Sequence, residues 1–228
     1  MKKLVKGILE FRKKVLPSYR QTFAHLALEQ KPDALFVACS DSRVVPNLFA
    51  STDPGDLFVV RNVGNLVPPC DPKRADKPQG SAAAALEFSV ERLNVRHIIV
   101  CGHSECGAMA ALLEGAHAKG LPHLQDWLRH GEATVQKFKE QVNSDPKLSE
   151  VNRLSQVNVL MQLEHIHSYP FVKRKVDAGE LMLHGWWFDI AHADVYAYEP
   201  EDKRFVLVEE GEAERIIARI EQRRGPAR

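Results

Sequence analysis

The sequence has little of several features that mark whole classes of protein. Its 228 residues include only 4 cysteines, and 31 Lys and Arg are balanced by 30 Asp and Glu. So few cysteines at this length argue against a disulfide scaffold and favour a reducing compartment. The balanced charge gives no strong field for nucleic acid or an anionic membrane. We therefore expect a small-molecule substrate, no nucleic-acid or membrane partner, and a cytoplasmic location.

Long hydrophobic runs and glycine-rich nucleotide turns are also lacking. No apolar run approaches the roughly 20 residues that cross a bilayer, and the first segment, Met1 to Pro17, is broken by charged residues. We expect a soluble, uncleaved protein. A Gly-x-Gly-x-x-Gly turn is missing, which argues against a Rossmann-type dinucleotide site.

What the chain does contain is an alternation of short apolar runs and helical patterns. Three β-branched-rich runs with little alternation are typical of buried parallel strands: 34–38, 57–60 and 98–101. Helical periodicity predicts Ser81–Leu93, Leu121–Val142 and Val151–His167. Strands are predicted near the end at Leu181–Phe188, Val195–Tyr198 and Arg204–Val208, before a last helix from Gly211 to Arg223. This order predicts one α/β domain over residues 1–228, with a mostly parallel central sheet flanked by helices and a C-terminal antiparallel edge strand.

The spacing of apolar residues predicts an amphipathic helix in the N-terminal segment. Leu4, Ile8, Phe11 and Val15 recur at helical intervals, and we expect the helix to stop at Pro17. The apolar stripe is expected to pack on its own domain or on a partner subunit, with a membrane-surface helix as the alternative.

Metal-ligand side chains occur in two short segments, Cys39-Ser40-Asp41-Ser42-Arg43 and His103-Ser104-Glu105-Cys106, each where an apolar run ends. Because ligands gather beyond the carboxyl ends of parallel strands, we expect both segments to meet. Two thiolates and one imidazole suit Zn²⁺ and leave a fourth tetrahedral position open, which indicates catalysis. Arg43 is expected to clamp Asp41 and keep that carboxylate ionised.

The remaining thiols and two helical histidines have plainer interpretations. Cys101, inside the third strand, is expected to be a core thiol, and Cys70 a bystander in a loop. His165 and His167 are expected on a helix surface.

These motifs resemble the β-class carbonic anhydrases. The resemblance covers about residues 20–210 and includes Phe58 to Asn65, His184-Gly185-Trp186, and the helix that carries Val157-Asn158-Val159. It implies reversible hydration of carbon dioxide to bicarbonate and a proton by a zinc-bound hydroxide. One Zn²⁺ per chain would be held by Cys39, His103 and Cys106, with Asp41 and Arg43 as the catalytic pair.

The same resemblance implies a substrate pocket and an assembly. The pocket would use Gln30, Phe58, Val63 and Phe88; many plant-type members have tyrosine where this chain has Phe88. The resemblance also implies an obligate homodimer, often doubled to a tetramer. In it, the helical arm of residues 1–30 would pack on the partner subunit.

A regulatory bicarbonate site that some members possess is expected to be missing here. It requires a Trp, an Arg and a Tyr, and this chain keeps only Arg61, with Phe36 and Phe188 in the other two places. Losing both polar tips removes the groups that hold an anion in a buried pocket. We therefore expect a plant-type enzyme without cooperative inhibition by bicarbonate.

Three alternatives stay open at this stage. A hydrolase of carbonyl sulfide or carbon disulfide would use the same fold and metal. A structural zinc module is disfavoured, because the set lacks a fourth permanent ligand unless Asp41 serves. A thiol redox protein would use Cys101 and Cys106, whose spacing is not Cys-x-x-Cys.

Overall fold

The computed structural model describes residues 1–74, 79–115, 120–140 and 145–223. The strands are β1 (Ala34–Cys39), β2 (Leu57–Asn62), β3 (His97–His103), β4 (Met182–Asp189), β5 (Asp194–Glu199) and β6 (Arg204–Leu207). The helices in these ranges are α1 (Lys2–Glu10), α2 (Leu16–Leu26), α3 (Pro46–Phe49), α4 (Ser81–Glu87), α5 (Gly107–Glu114), α6 (Pro122–Leu128), α7 (Glu132–Glu140), α8 (Glu150–His167), α9 (Pro170–Asp177) and α10 (Glu210–Arg223). None of these helices combines the length and apolar character needed to cross a membrane.

The strands form one mixed sheet in the order β2-β1-β3-β4-β5-β6. The first four strands in that order are parallel, and β5 and β6 are antiparallel to their neighbours. The predicted α/β fold with a mostly parallel sheet is therefore confirmed, with an antiparallel pair at the C-terminal edge. β1 and β3 lie side by side at the centre of the parallel part, so their carboxyl ends meet.

The central strands are buried on both faces. Every residue of β1 is buried, and Leu35 and Val37 lie in a core cluster with β3 and with α4, α8 and α9. The opposite face carries Phe36 and Cys101 in a second cluster. Cys101 has no exposed surface, and burial raises the pKa of its thiol well above the ordinary range, which confirms the expectation of a core thiol. Continuous burial explains why these strands show no alternation in sequence.

Pro17 does not end the first helix, so that prediction is wrong. The chain passes from α1 through a π-helical turn, Phe11–Val15, directly into α2. Pro17 lies in the first turn of α2, where its missing N–H needs no partner. In the π-helical turn before it, the Leu16 N–H donates to the Phe11 carbonyl five residues back, so the chain stays helical up to Pro17. The arm is consequently one long helical segment that ends at Leu26.

The helix predicted over Leu121–Val142 is divided. A 3₁₀ turn, Arg129–Gly131, separates α6 from α7, and Val142 lies outside the described residues. Gly131 is buried, and a Cβ there would approach the Leu112 side chain to 2.5 Å. The backbone passes close to α5 at this bend, so a larger residue would require the Leu112 side chain to shift. A count of helical periodicity does not detect this contact.

Candidate metal centre

The three predicted metal donors come together at the carboxyl ends of β1 and β3. Cys39 is the last residue of β1, His103 is the last of β3, and Cys106 precedes α5. Their donor atoms all lie within 4.8 Å of one another, and all three residues are buried. Between the second and third donors, Glu105 has a left-handed φ of 53°, which reverses the chain so that Cys106 returns toward His103.

The protonation of these donors suits a metal ion. His103 Nδ1 lies 2.9 Å from the Ser104 carbonyl oxygen, which can only accept, so Nδ1 carries the proton. The buried Nε2 is left with its lone pair and has no hydrogen-bond partner among the described residues. An imidazole fixed in this way is what a metal-ligating histidine requires.

The two sulfurs share one negative charge. A hydrogen bond from Cys106 lowers the pKa of Cys39 to about 4 despite burial, and the Gly64 N–H contributes in the same direction. The pKa of Cys106 is raised in turn, first by its bond to Cys39 and then by burial. A divalent cation would replace the proton between them. The donor set of two sulfurs and one imidazole therefore fits Zn²⁺.

Asp41 and Arg43 form a bidentate pair beside the donors. Arg43 Nε donates to Asp41 Oδ1 at 2.9 Å, and Arg43 Nη2 donates to Oδ2 at 2.8 Å. This side-chain bond, the first of several causes, holds the pKa of Asp41 well below its usual range. Arg43 Nη2 also donates to the Glu105 carbonyl at 3.1 Å. The pair thus joins the loop after β1 to the loop after β3 and keeps Asp41 ionised.

A cavity of about 320 Å³ opens beside Cys39 and Asp41. Its lining is mostly apolar: Cys39, Ser40, Asp41, Val63, Gly107, Ala108, Ala111, Leu124 and Leu128. Of the four residues expected to bind substrate, Val63 is in this lining. Leu124 and Leu128, one helical turn apart on α6, were missed by the sequence analysis, because their spacing gives no sign of what α6 covers.

Gln30, Phe58 and Phe88 are not brought to this cavity within the chain. Phe58 pairs with Leu35 near the amino end of β1, at the opposite end of the strand from Cys39. Its ring lies 5.8 Å from that of Phe88, centroid to centroid. Gln30 follows the helical arm and is exposed.

Arg61 supports the loop after β1. Its Nε donates to the Cys39 carbonyl at 3.0 Å and its Nη2 to the Asp41 carbonyl at 2.6 Å. Phe36 and Phe188 both pack against Phe49, the latter stacked at a centroid distance of 4.7 Å. The Arg61 guanidinium thus donates to two backbone carbonyls. Phe36 and Phe188, which stand where the regulatory site would need Trp and Tyr, pack on another aromatic ring.

One face of α8 carries polar side chains that bond to the backbone at the ends of β2 and β3 and in the segments that follow them: Asn152, Ser155, Asn158, Gln162 and His165. Asn152 Oδ1 accepts the Glu105 N–H at 2.7 Å, and Ser155 Oγ donates to the His103 carbonyl at 2.8 Å. Asn158, Gln162 and His165 bond to the backbone of Gly64 and Val67.

His165 therefore lies in the interior, at 8 % exposure, and the prediction of a surface position is wrong. The sequence did hold a signal for burial: polar side chains recur every three or four residues along one face of α8, and buried apolar residues occupy other positions of the same helix.

Comparison with known proteins agrees with this geometry. A family model described as carbonic anhydrase matches residues 34–195. A carbonic anhydrase of Pseudomonas aeruginosa is 40% identical over 213 residues, covering 92% of this chain and 93% of the relative. Beta carbonic anhydrase 1 of Caenorhabditis elegans is 32% identical, covering 98% of this chain and 94% of the relative.

Solved structures show the same fold. The β-carbonic anhydrase CcaA superposes with a TM-score of 0.83 at 37% identity, covering 92% of both chains. One of two tetrameric β-carbonic anhydrases from the ascomycete Sordaria macrospora gives a TM-score of 0.70 at 27% identity, covering 85% of this chain and 94% of the other. Since sequence and fold agree over most of its length, the chain belongs to the β-carbonic anhydrase family and is an enzyme of the reversible hydration of carbon dioxide.

Proposed function

We propose that the chain holds one Zn²⁺ on Cys39, His103 and Cys106, and that Asp41 and Arg43 are its catalytic pair in carbon dioxide hydration. The observation that carries the proposal is the buried group of three donors, in which His103 Nε2 has no hydrogen-bond partner among the described residues. Asp41 is not a member of that group. This supports a three-ligand site with a position left for the reaction rather than a closed structural site.

Zinc, when bound, supplies a Lewis acid that makes a water molecule nucleophilic near neutral pH. The chain contributes the acceptor: Asp41, kept ionised by Arg43, accepts two hydrogen bonds on Oδ1 and one on Oδ2, which leaves one lone pair on Oδ2. This lone pair accepts a hydrogen bond from the attacking water and orients it. Because Arg43 also contacts the Glu105 carbonyl, the carboxylate is fixed relative to both donor loops.

The cavity walls select for the substrate. Val63, Leu124 and Leu128 present apolar surface next to Cys39, and this excludes bulk water and suits an apolar molecule as small as carbon dioxide. Bicarbonate is charged and gains nothing from these walls. The difference favours release of the product to solvent.

Gln30, Phe58 and Phe88 remain part of the proposed substrate pocket, but as residues of a neighbouring subunit. Within one chain they lie away from the cavity, so they would reach the substrate across an interface. Phe88 is 44% exposed and β2 is an edge strand, which leaves this surface open to a partner.

We accordingly propose a homodimer, or a dimer of dimers, in which the arm of residues 1–30 packs on the partner. The Sordaria macrospora enzymes named above are tetrameric. We further propose a cytoplasmic protein of the plant-type subclass whose residues 1–228 form one domain. All four cysteines are free thiols, as expected in a reducing compartment.

Stopped-flow hydration of carbon dioxide at about pH 7.5 and 8.5, with zinc content measured in parallel, tests the proposal. Asp41→Ala should retain zinc and lose at least about 100-fold in kcat/KM, because the oriented acceptor is gone. Cys106→Ser should lose both zinc and activity. Matched controls are Asp177→Ala, which removes an exposed carboxylate paired with Lys173, and Cys70→Ser, which changes a buried thiol elsewhere.

Zinc bound by the native chain without hydration would contradict the proposal. In that case the same preparation would be assayed for hydrolysis of carbonyl sulfide and carbon disulfide. Full activity in Asp41→Ala would remove Asp41 from the mechanism while leaving the metal site in place.

A further inference from the structure

The Cys39 sulfur receives a hydrogen bond from the backbone. The Gly64 N–H donates to Cys39 Sγ with a nitrogen-to-sulfur distance of 3.4 Å. Gly64 has a φ of +79°, and a Cβ at this position would lie 2.9 Å from the Ala108 Cβ. Both facts restrict the position to glycine. The N–H is therefore aimed at the sulfur by a local conformation that the surrounding structure must hold.

Trp127 holds the other end of the same peptide unit. Its indole Nε1 donates to the Val63 carbonyl oxygen at 2.7 Å, and that carbonyl belongs to the peptide bond whose N–H points to Cys39. A hydrogen bond to a carbonyl polarises the peptide and makes its N–H a stronger donor. A continuous path thus runs from the indole through one peptide group to the sulfur.

Asn158 holds Gly64 from its carbonyl side. Asn158 Nδ2 donates to the Gly64 oxygen at 3.0 Å. The amide cannot be reversed, because its Oδ1 accepts from Thr134 Oγ1 and from Gln162 Nε2. Gln162 is fixed in turn by the Val67 N–H, which its Oε1 accepts at 2.7 Å. Asn158 is 1% exposed and Gln162 is fully buried, so this order is shielded from water.

We propose that Trp127 and Asn158 are positioning residues of the metal centre, which fix the Gly64 N–H on Cys39 Sγ and thereby hold this sulfur in its ligand orientation. The inference rests on the proposed function, since it assumes that Cys39 ligates the metal. Neither residue is a member of the donor group; both act through the Val63–Gly64 backbone. Partners of this outer kind change metal affinity about 10- to 100-fold when they are removed.

The test uses Co²⁺ in place of zinc, in the full-length chain. Trp127→Phe keeps an aromatic ring and removes the donor, and Asn158→Ala removes the amide. For both we expect the dissociation constant for Co²⁺ to rise by about tenfold in competition with a chelator. The sulfur-to-cobalt charge-transfer band should move to longer wavelength, because a sulfur that has lost a hydrogen bond gives up electron density more easily. Trp186→Phe is the matched control, since Trp186 packs on Phe36 on the other face of the sheet.

Each outcome decides a different question. If the native chain binds Co²⁺ without a thiolate band, the proposed metal site is wrong. If the native chain shows the band and Trp127→Phe matches Trp186→Phe in affinity and wavelength, the positioning role is wrong. Circular dichroism will show whether Asn158→Ala keeps the native fold. If it does not, Trp127→Phe alone tests the positioning role, because Trp127 is only half-buried and its replacement should be tolerated.

Discussion

At the scale of single residues, the loops around the metal centre are held by side chains that bond to backbone atoms. Arg61 bonds to the Cys39 and Asp41 carbonyls, and Ser155 bonds to the His103 carbonyl. The geometry of the donors therefore depends on residues outside the donor group.

His165 gives the folded chain a pH-dependent stability. Burial is the main cause that lowers the pKa of its imidazole, whose Nδ1 donates to the Val67 carbonyl. Below about pH 6.5, the ordinary value, the unfolded chain binds a proton that the folded chain resists. Stability is full above that pH and falls as the pH drops. Urea unfolding at about pH 7.5 and 5.5 should show a smaller loss for His165→Gln than for the native chain.

The control for that measurement is His25→Gln. His25 is an exposed residue of α2, and its replacement should leave the native pH dependence intact. Parallel loss of stability in the native chain and in His165→Gln would contradict the assignment.

The residues that could be predicted from the sequence differ from those that could not in one physical respect. Cys39, Asp41 and His103 lie at or just after the ends of buried strands, and strand order fixes where those ends meet. Leu124, Trp127 and His165 reach the site only through the way α6 and α8 pack, which local spacing does not encode. Periodicity marks a buried helix face but does not tell which loop it contacts.

At the scale of elements, α10 makes ion pairs with a carboxylate that is buried at the end of β5. Glu199, in β5, is 1% exposed and receives hydrogen bonds from both terminal nitrogens of Arg219, with Arg215 Nη2 at 3.5 Å. A buried charge that loses its partners is costly, and so is a buried cation left without its carboxylate.

Glu199→Gln should therefore lower the free energy of unfolding by about 3 kcal/mol, measured by urea denaturation. Glu201→Gln, an exposed neighbour, should change it by less than about 0.5 kcal/mol. A double variant, Glu199→Leu with Arg219→Met, should recover much of the loss, because it removes both charges together. Equal stability of Glu199→Gln and the native chain would show that water replaces the ion pair.

The ends of the strands and helices could also be predicted where local sequence determines them and not where packing between distant elements does. Strands were predicted to within one or two residues. For β1 and β3 the reason is that nearly continuous burial requires a continuous apolar run, whereas β2, also predicted as a buried strand, has no buried residue. The passage of the arm through Pro17 and the bend at Gly131 were not predicted. A π-helical turn precedes Pro17, and the bend at Gly131 lies against Leu112 of α5.

At the scale of the whole molecule, the N-terminal arm leaves an apolar face uncovered in one chain. No residue of Lys2–Leu26 is buried, and Leu4 and Ile8 are 64% and 60% exposed. Its C-terminal half is joined to the rest of the chain by the Tyr19 hydroxyl, which donates to Asp53, and by the contact of Leu26 with Gly55. An apolar stripe of this extent is an expected surface for a partner.

Ile8→Glu should weaken the proposed dimer. Burial of an isoleucine side chain contributes about 1.5–3 kcal/mol, so its loss should raise the dissociation constant by about tenfold or more, measured by sedimentation velocity over a concentration series. Lys6→Glu, an exposed charge reversal on the same helix, is the control and should change association little. Native-like association of Ile8→Glu would mean that the arm is not the contact surface.

The register of the central sheet has a consequence for the order of folding. Cys39 and His103 come into reach of each other only when β1 and β3 pair with Ala38 opposite Cys101. A slip of one residue would turn one donor to the far side of the sheet. Because the two positions are far apart in sequence, the pairing of these strands is what brings both donors within reach of one ion. A metal ion bound at the proposed site would therefore stabilise chains whose central strands are paired in this register over chains in which they are not.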